Sequence, residues 1–237
     1  MLGRSVALVL CATLAVCLCG CEPAITRSVE AVVLATEGNV SSTSSSSAPA
    51  LDVAAGAHAA TGASLLTGAD SQVALSLVPG ARINLEAQSE LRLALVKITK
   101  NGNRVQEAME REVKLILKNG AFVASVQFES DGPGVSIDTP SGNVSTRQPA
   151  LFRVEVRNQI TRVTCARGSV FFQPQGETTR VSLQAPEARE WPVQEREAIP
   201  ADFDVRALEE IENSKEVEQK LLGLEQRRRL SPFPWRQ

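Results

Sequence analysis

Three features of this chain could do chemistry: its cysteines, its single histidine, and two aspartates around a glycine-rich turn. Cys11, Cys17, Cys19 and Cys21 crowd near the amino end, while Cys165 stands alone far downstream. Leu18-Cys19-Gly20-Cys21 closes an apolar run that follows Arg4, which is how a bacterial lipoprotein signal ends. The uncharged stretch from Ser5 to Gly20 is too short to cross a bilayer comfortably as a permanent helix. Cleavage before Cys21 and lipidation of its thiol are therefore expected, although position 19 usually holds a small residue; ordinary secretion and an uncleaved anchor are the alternatives. Three cysteines then leave with the signal and the fourth carries lipid. Cys165 shares a strand face with Val163 in Thr161-Arg162-Val163-Thr164-Cys165 and reads as a small apolar core residue, with a reactive or pairing thiol as the alternative.

His58 lies in Ala57-His58-Ala59-Ala60, a small-residue loop without an evident acid or nucleophile, so it reads as an exposed loop residue rather than a catalytic base. Asp131 and Asp138 flank Gly132-Pro133-Gly134, where a calcium loop is conceivable but aspartates bonding their own backbone in turns are the better account. The chain has no HExxH, GxSxG, phosphate-binding loop or spaced Cys/His set. Asn39-Val40-Ser41 and Asn143-Val144-Ser145 fit the glycosylation pattern by coincidence if the source is bacterial. No catalytic residue, metal or cofactor is assigned. With Arg4 gone, 24 basic side chains stand against 27 acidic ones, a net charge near −3, and nucleic acid is excluded as a partner.

The elements that would position these residues are strands. From residue 64 onward, period-two alternation recurs between turn residues: Val73/Leu75/Leu77, Pro79-Gly80, Ala81/Ile83/Leu85, Val135–Ile137, Phe152/Val154/Val156, Thr161–Cys165, Val170–Phe172 and Val181–Leu183. Leu91 to Ile98 is more continuously apolar and predicts a central strand covered on both sides. Asn119-Gly120 between two alternating runs predicts a two-residue hairpin with a type I′ turn. Lys97 to Glu112 is polar and reads as an inserted loop, with or without a short helical turn. The serine-rich stretch from Ser41 to Ser47 reads as a linker or a loop, and Ala31–Ala35 before it is strand-like, so folded structure is expected from about residue 28. A lipid tether of about eight residues, at ~3.5 Å each, would hold the domain within roughly 28 Å of the membrane.

After Trp191-Pro192 the composition turns helical, with Asp202 or Asp204 as cap and Asn213-Ser214 as a possible break. The apolar positions Leu208, Ile211, Leu221 and Leu224 either pack on the strands, the favoured reading, or meet a partner. Arg227-Arg228-Arg229 suits a helix C-terminus, and Phe233 and Trp235 form an aromatic tail that could dock in a groove or cover the domain's own edge.

The layout resembles the FecR-like domain of bacterial envelope signalling regulators. Gly62-Ala63, Leu66-Thr67-Gly68-Ala69-Asp70-Ser71-Gln72-Val73, Pro79-Gly80-Ala81-Arg82-Ile83, Leu91-Arg92-Leu93, Leu115 to Ala121, Asp138-Thr139-Pro140-Ser141-Gly142 and Arg167-Gly168-Ser169-Val170 are similar to its successive turns and strands. Two departures stand out. Arg147-Gln148-Pro149-Ala150-Leu151-Phe152 lacks the family's arginine-glycine-threonine and gains a residue, where a bulge is expected, and nothing upstream of Cys21 matches the signalling members' cytoplasmic and membrane segments. The resemblance implies an envelope β-domain used for protein contact.

The expectation is an all-β antiparallel roll or sandwich, solenoid-like, with a C-terminal helical appendage. Its parts are a signal over residues 1–20, a lipid-proximal tether over 21–29, a FecR-like domain over 30–192, and a helix with aromatic tail over 193–237. The function expected is non-catalytic protein contact, for sensing or scaffolding, by a lipoprotein on the envelope membrane. Glu22 in place of an inner-membrane-retaining aspartate favours the outer membrane. The alternatives are a structural lipoprotein binding cell-wall glycan and, least favoured, a hydrolase. Partner identity and oligomeric state stay open.

Overall fold

A computed structural model describes residues 24–44, 49–101, 108–192 and 204–230. In chain order the strands are β1 (Ala24–Ser28), β2 (Ala31–Glu37), β3 (Val40–Thr43), β4 (Leu51–Asp52), β5 (His58–Ala59) and β6 (Ser64–Thr67). Next come β7 (Gln72–Val78), β8 (Ala81–Leu85), β9 (Glu90–Asn101) and the long β10 (Ala108–Val126). The rest are β11 (Gly134–Thr139), β12 (Gly142–Thr146), β13 (Ala150–Arg157), β14 (Ile160–Arg167), β15 (Ser169–Pro174), β16 (Val181–Gln184) and β17 (Glu187–Trp191), followed by helix α1 (Val205–Leu230).

These strands form two sheets around one apolar core. Sheet A runs β4–β3–β6–β9–β10–β11–β12–β15–β16, with β1 sharing the β6 edge of β9. Sheet B runs β5–β2–β7–β8–β10–β13–β14–β17. The pairings end at β4 and β16 in one sheet and at β5 and β17 in the other, so the whole does not close. All pairs are antiparallel except β10 with β11. The fold is all-β with a C-terminal helix, as the alternation implies. Inward residues of both sheets, among them Leu75, Ile83, Leu93, Leu115, Phe122, Ile137, Phe152 and Phe172, meet in one cluster. Trp191 of sheet B stacks on Phe172 of sheet A with ring centroids 3.8 Å apart.

The Asn119-Gly120 hairpin does not form. β10 runs straight through it, pairing with β9 up to Asn119, with β13 from Gly120 onward and with β8 from Phe122 onward, so this dipeptide is where one strand passes between sheets. A type I′ turn needs positive φ at both central residues, and only Gly120 has it, at +89°. A Cβ there would lie 2.4 Å from the Ser89 Cα, because the segment joining β8 to β9 crosses between the sheets at the same level. Ser89 fixes this crossing by accepting the Ala121 N–H at 2.9 Å.

Other expectations change for local reasons. Lys97–Glu112 is no loop in its described part: β9 and β10 extend as a paired ribbon, Lys100 opposite Ala108, and β1 adds a third strand. Ala24–Ser28, assigned to the tether, is that strand. Leu91, Leu93, Val96 and Ile98 are buried, but Arg92 is exposed and Ala94, Leu95 and Lys97 are half-covered, so β9 is central in its sheet yet buried on one face. Asn213-Ser214 does not break α1. The Ser214 hydroxyl donates to the Glu210 carbonyl at 2.6 Å and keeps the residue inside the helix.

Candidate functional site: a charged helix-docking face

Strand alternation puts Arg82, Asn84, Val123, Ser125, Leu151, Arg153, Arg162 and Thr164 on the outer face of sheet B, since their neighbours Ile83, Ala124, Phe152, Val154 and Val163 point into the core. Register sets Arg82 beside Ser125, Val123 beside Arg153, Arg153 beside Thr164 and Arg162 beside Glu190. A bulge adds a fourth arginine. Phe152 pairs with Cys165 but Leu151 pairs with Arg167, so one extra residue sits in β14 and turns Arg167 to the outer face. The expected bulge thus lies opposite the Pro149 segment rather than in it.

Helix α1 lies over this face, packing on β14, β13, β10, β8 and β2. Asp204 caps it, accepting the Ala207 N–H at 3.2 Å, and Arg227, Arg228 and Arg229 sit in its last turn. Its covered side is largely acidic: Ala207, Glu210, Ile211, Ser214, Glu218, Leu221 and Glu225. Each glutamate has its own arginines. Glu210 takes Arg153 at 3.1 Å, Arg162 at 3.0 Å and the Thr164 hydroxyl at 2.6 Å. Glu218 takes both terminal nitrogens of Arg167 at 2.6 Å and the Ser125 hydroxyl at 2.6 Å. Glu225 pairs with Arg82, and Arg229 of the same helix reaches it at 3.0 Å.

The pairs join into a network. Arg153 also holds Glu86 with two nitrogens at 2.8 Å each and Glu155 at 2.7 Å. Arg162 reaches Glu190 at 3.0 Å and Asp204 at 2.8 Å, and Arg206 reaches Glu155 at 2.5 Å. Burial works against the charge on Arg153 and on Arg162, but the surrounding carboxylates outweigh it, and both guanidinium pKa values are raised. Glu155, Asp204 and Glu218 show the mirror effect. Burial alone would raise them, and the arginine hydrogen bonds and charges hold them below the usual carboxylate range. The titratable groups of this face are thus arginines and carboxylates engaged with one another in ion pairs.

Of the residues singled out from sequence, Ile211 and Leu221 are buried in this interface, 5 % and 1 % exposed, Leu224 is half-buried, and Leu208 is 43 % exposed. Cys21, Phe233 and Trp235 lie outside the described residues. His58 is exposed, 3.3 Å from Glu30. Asp138 lies in β11 rather than in a turn and accepts from the side chain of its cross-strand neighbour Asn143 at 2.7 Å, not from its own backbone. Cys165 is buried and burial pushes its thiol up to about 11. Among the described residues no three His, Cys, Asp or Glu side chains gather around a metal-sized site, and no helix is long and apolar enough to cross a membrane. Sequence reasoning missed the arginines and glutamates altogether. The signal was present: Glu210, Glu218 and Glu225 recur near whole helical turns on the side that carries Ile211 and Leu221, and Arg82, Arg153 and Arg162 hold outward strand positions.

Residues 63–171 match the protein family described as FecR protein. No curated protein matches the chain. Two crystal structures, each described as a "putative anti-sigma factor" from Parabacteroides distasonis ATCC 8503, align with it. The one at 2.50 Å is 13 % identical over 54 % of this chain, with a TM-score of 0.39. The one at 1.65 Å is 14 % identical over 63 % of this chain, with a TM-score of 0.41. The chain spans about half the length of the first, 53 %, and 74 % of the second.

Proposed function

From the FecR domain that this chain carries over residues 63–171, we propose that the protein is a lipid-anchored envelope protein whose β-domain makes regulatory contacts with other proteins and performs no catalysis. The observation that carries the reading is that the matched segment runs from β6 through β14 into β15, and so includes the strands that build the centre of both sheets and supply all four arginines of the docking face. The matched turns are structural. In Thr139-Pro140-Ser141-Gly142 the threonine hydroxyl donates to the Gly142 carbonyl at 2.7 Å, and Gly168 in Arg167-Gly168-Ser169-Val170 is at φ +76° with the Pro149 carbonyl where a Cβ would stand.

Anchoring at Cys21 would place the lipid close to the fold. β1 begins three residues later, so at no more than ~3.5 Å per residue an acylated Cys21 would be tethered within about 10 Å of a strand. Ala24 pairs with Asn101 at the outer end of the β9–β10 ribbon, and that end would face the bilayer.

The test is the intact mass of the protein extracted from its native membrane, together with in-cell photocrosslinking at Leu208 and Phe171, both exposed. A mature chain starting at acylated Cys21, released to the soluble fraction by Cys21→Ala, and crosslinked to an envelope protein is expected. A soluble chain retaining Met1 would overturn the anchoring, and an unreacted crosslinker at both positions would overturn the contact role.

A further inference from the structure

The core between the sheets is complete without α1. Every residue of the main apolar cluster belongs to the β-domain, and the helix enters only a separate pair, Ala207 with Ala188. What α1 covers is a second surface. On the outer face of sheet B, Val123 and Leu151 are wholly buried, and Arg82, Arg153, Arg162 and Arg167 stand around them. An apolar centre ringed by arginines has the composition of a protein-binding patch rather than of a domain interior.

The contacts that α1 makes with the sheet are mainly polar. Its covered side offers Ala207, Ile211 and Leu221 as apolar anchors against three glutamates, and buried ion pairs return little more than the desolvation of their partners. Departure without replacement would bare Val123 and Leu151 and strip the arginines of their counterions. Replacement by another helix with carboxylates at the spacing of Glu210, Glu218 and Glu225 would return counterions to Arg82, Arg153, Arg162 and Arg167, so exchange costs less than simple release.

We propose that the outer face of sheet B is a receptor for an acidic amphipathic helix of a partner protein, and that α1 is its exchangeable occupant. The proposal rests on the protein-contact reading and names the chemical class of the partner. The arginines select carboxylates, the Val123–Leu151 centre selects an aliphatic residue between them, and α1 keeps the site filled until a competitor arrives.

A fluorescently labelled peptide of residues 204–230, titrated into the full-length chain, is the probe. Binding to the wild-type chain is expected, at least about tenfold tighter to a Glu218→Gln/Glu225→Gln chain whose own helix is weakened. A peptide with glutamine at 210, 218 and 225 should bind neither chain. If the substituted chain does not fold, wild-type hydrogen exchange gives the same reading: α1 amides should exchange faster on going from about 50 to about 500 mM NaCl while β10 and β13 stay protected. Failure of the peptide to bind either chain, or α1 opening only together with the strands, overturns the proposal. A concentration-dependent dimer that the peptide dissolves assigns the site to a second copy and overturns the foreign partner. A chain that binds the peptide but proves unlipidated and cytoplasmic sinks the anchoring and leaves this inference standing.

Discussion

Arg167 grips Glu218 through both terminal nitrogens, each 2.6 Å from a carboxylate oxygen, from a strand position that plain alternation would turn into the core. Cys165 faces inward, so the second residue after it should too; the bulge in β14 reverses that parity and aims Arg167 at the helix. A backbone irregularity thus creates one of the four arginines on which α1 rests.

Arg167→Ala leaves the Glu218 carboxylate, 9 % exposed, with Ser125 as its main partner. Removing one member of a buried pair costs ~3–5 kcal/mol, but Arg167 is itself 51 % exposed, and water can replace part of it. A loss of about 1–2 kcal/mol is expected in urea unfolding, with faster hydrogen exchange confined to α1. An unchanged midpoint would show that the pair holds nothing.

Gly120→Ala tests the passage of β10 between sheets. The substitution puts a Cβ against the Ser89 backbone at a positive φ, and a cost of ~3 kcal/mol or more is expected from strain and clash together. Asn119→Ala removes only an exposed amide donating to the Gln88 carbonyl at 3.0 Å, and should cost about 1 kcal/mol or less. A true Asn-Gly turn would make both substitutions costly, so equal losses in melting temperature would sink the continuous strand.

The strands were legible because their signal is local. Val73/Leu75/Leu77 or Phe152/Val154/Val156 fix a face by alternation alone, and Asp204 caps the helix as read. The Asn-Gly hairpin misled because the dipeptide reports a tolerance for positive φ, and a crossing between sheets uses that tolerance as readily as a turn does. The docking face was hidden for a different reason. A helix stripe is sought among apolar residues, whereas α1 buries Glu210, Glu218 and Glu225, whose burial is tolerable only beside arginines up to 143 residues distant. That complementarity is a property of the register of five strands and cannot be read from either partner alone.

Cys165 should be inert. Its sulfur is buried, donates toward the Gly168 carbonyl at 3.4 Å, and burial pushes its pKa up to about 11, so thiolate is scarce at neutral pH. Ellman's reagent should label it only as the protein unfolds, with the labelling rate tracking urea concentration. Prompt labelling of the native chain would reopen the reading of a reactive thiol.

Acid should release α1 before it dissolves the sheets. At Glu155, Glu218 and Asp204 burial favours the protonated form, but Arg153, Arg167 and Arg162 respectively outweigh it, and all three pKa values are lowered by folding. A carboxyl lowered in this way contributes stability that is fully present above its unfolded pKa of ~4 and is lost as pH falls through its folded value. The arginines keep their charge throughout, so only carboxylate protonation can break these pairs. Stability and α1 protection should therefore be flat from about pH 8 to about pH 5 and decline below about pH 4, with α1 amides exchanging earlier than those of β10 and β13. Since the apolar core contains no α1 residue, strand signals should persist after the helix has come free. A decline already complete at pH 6 would point to a group other than these carboxylates as the latch.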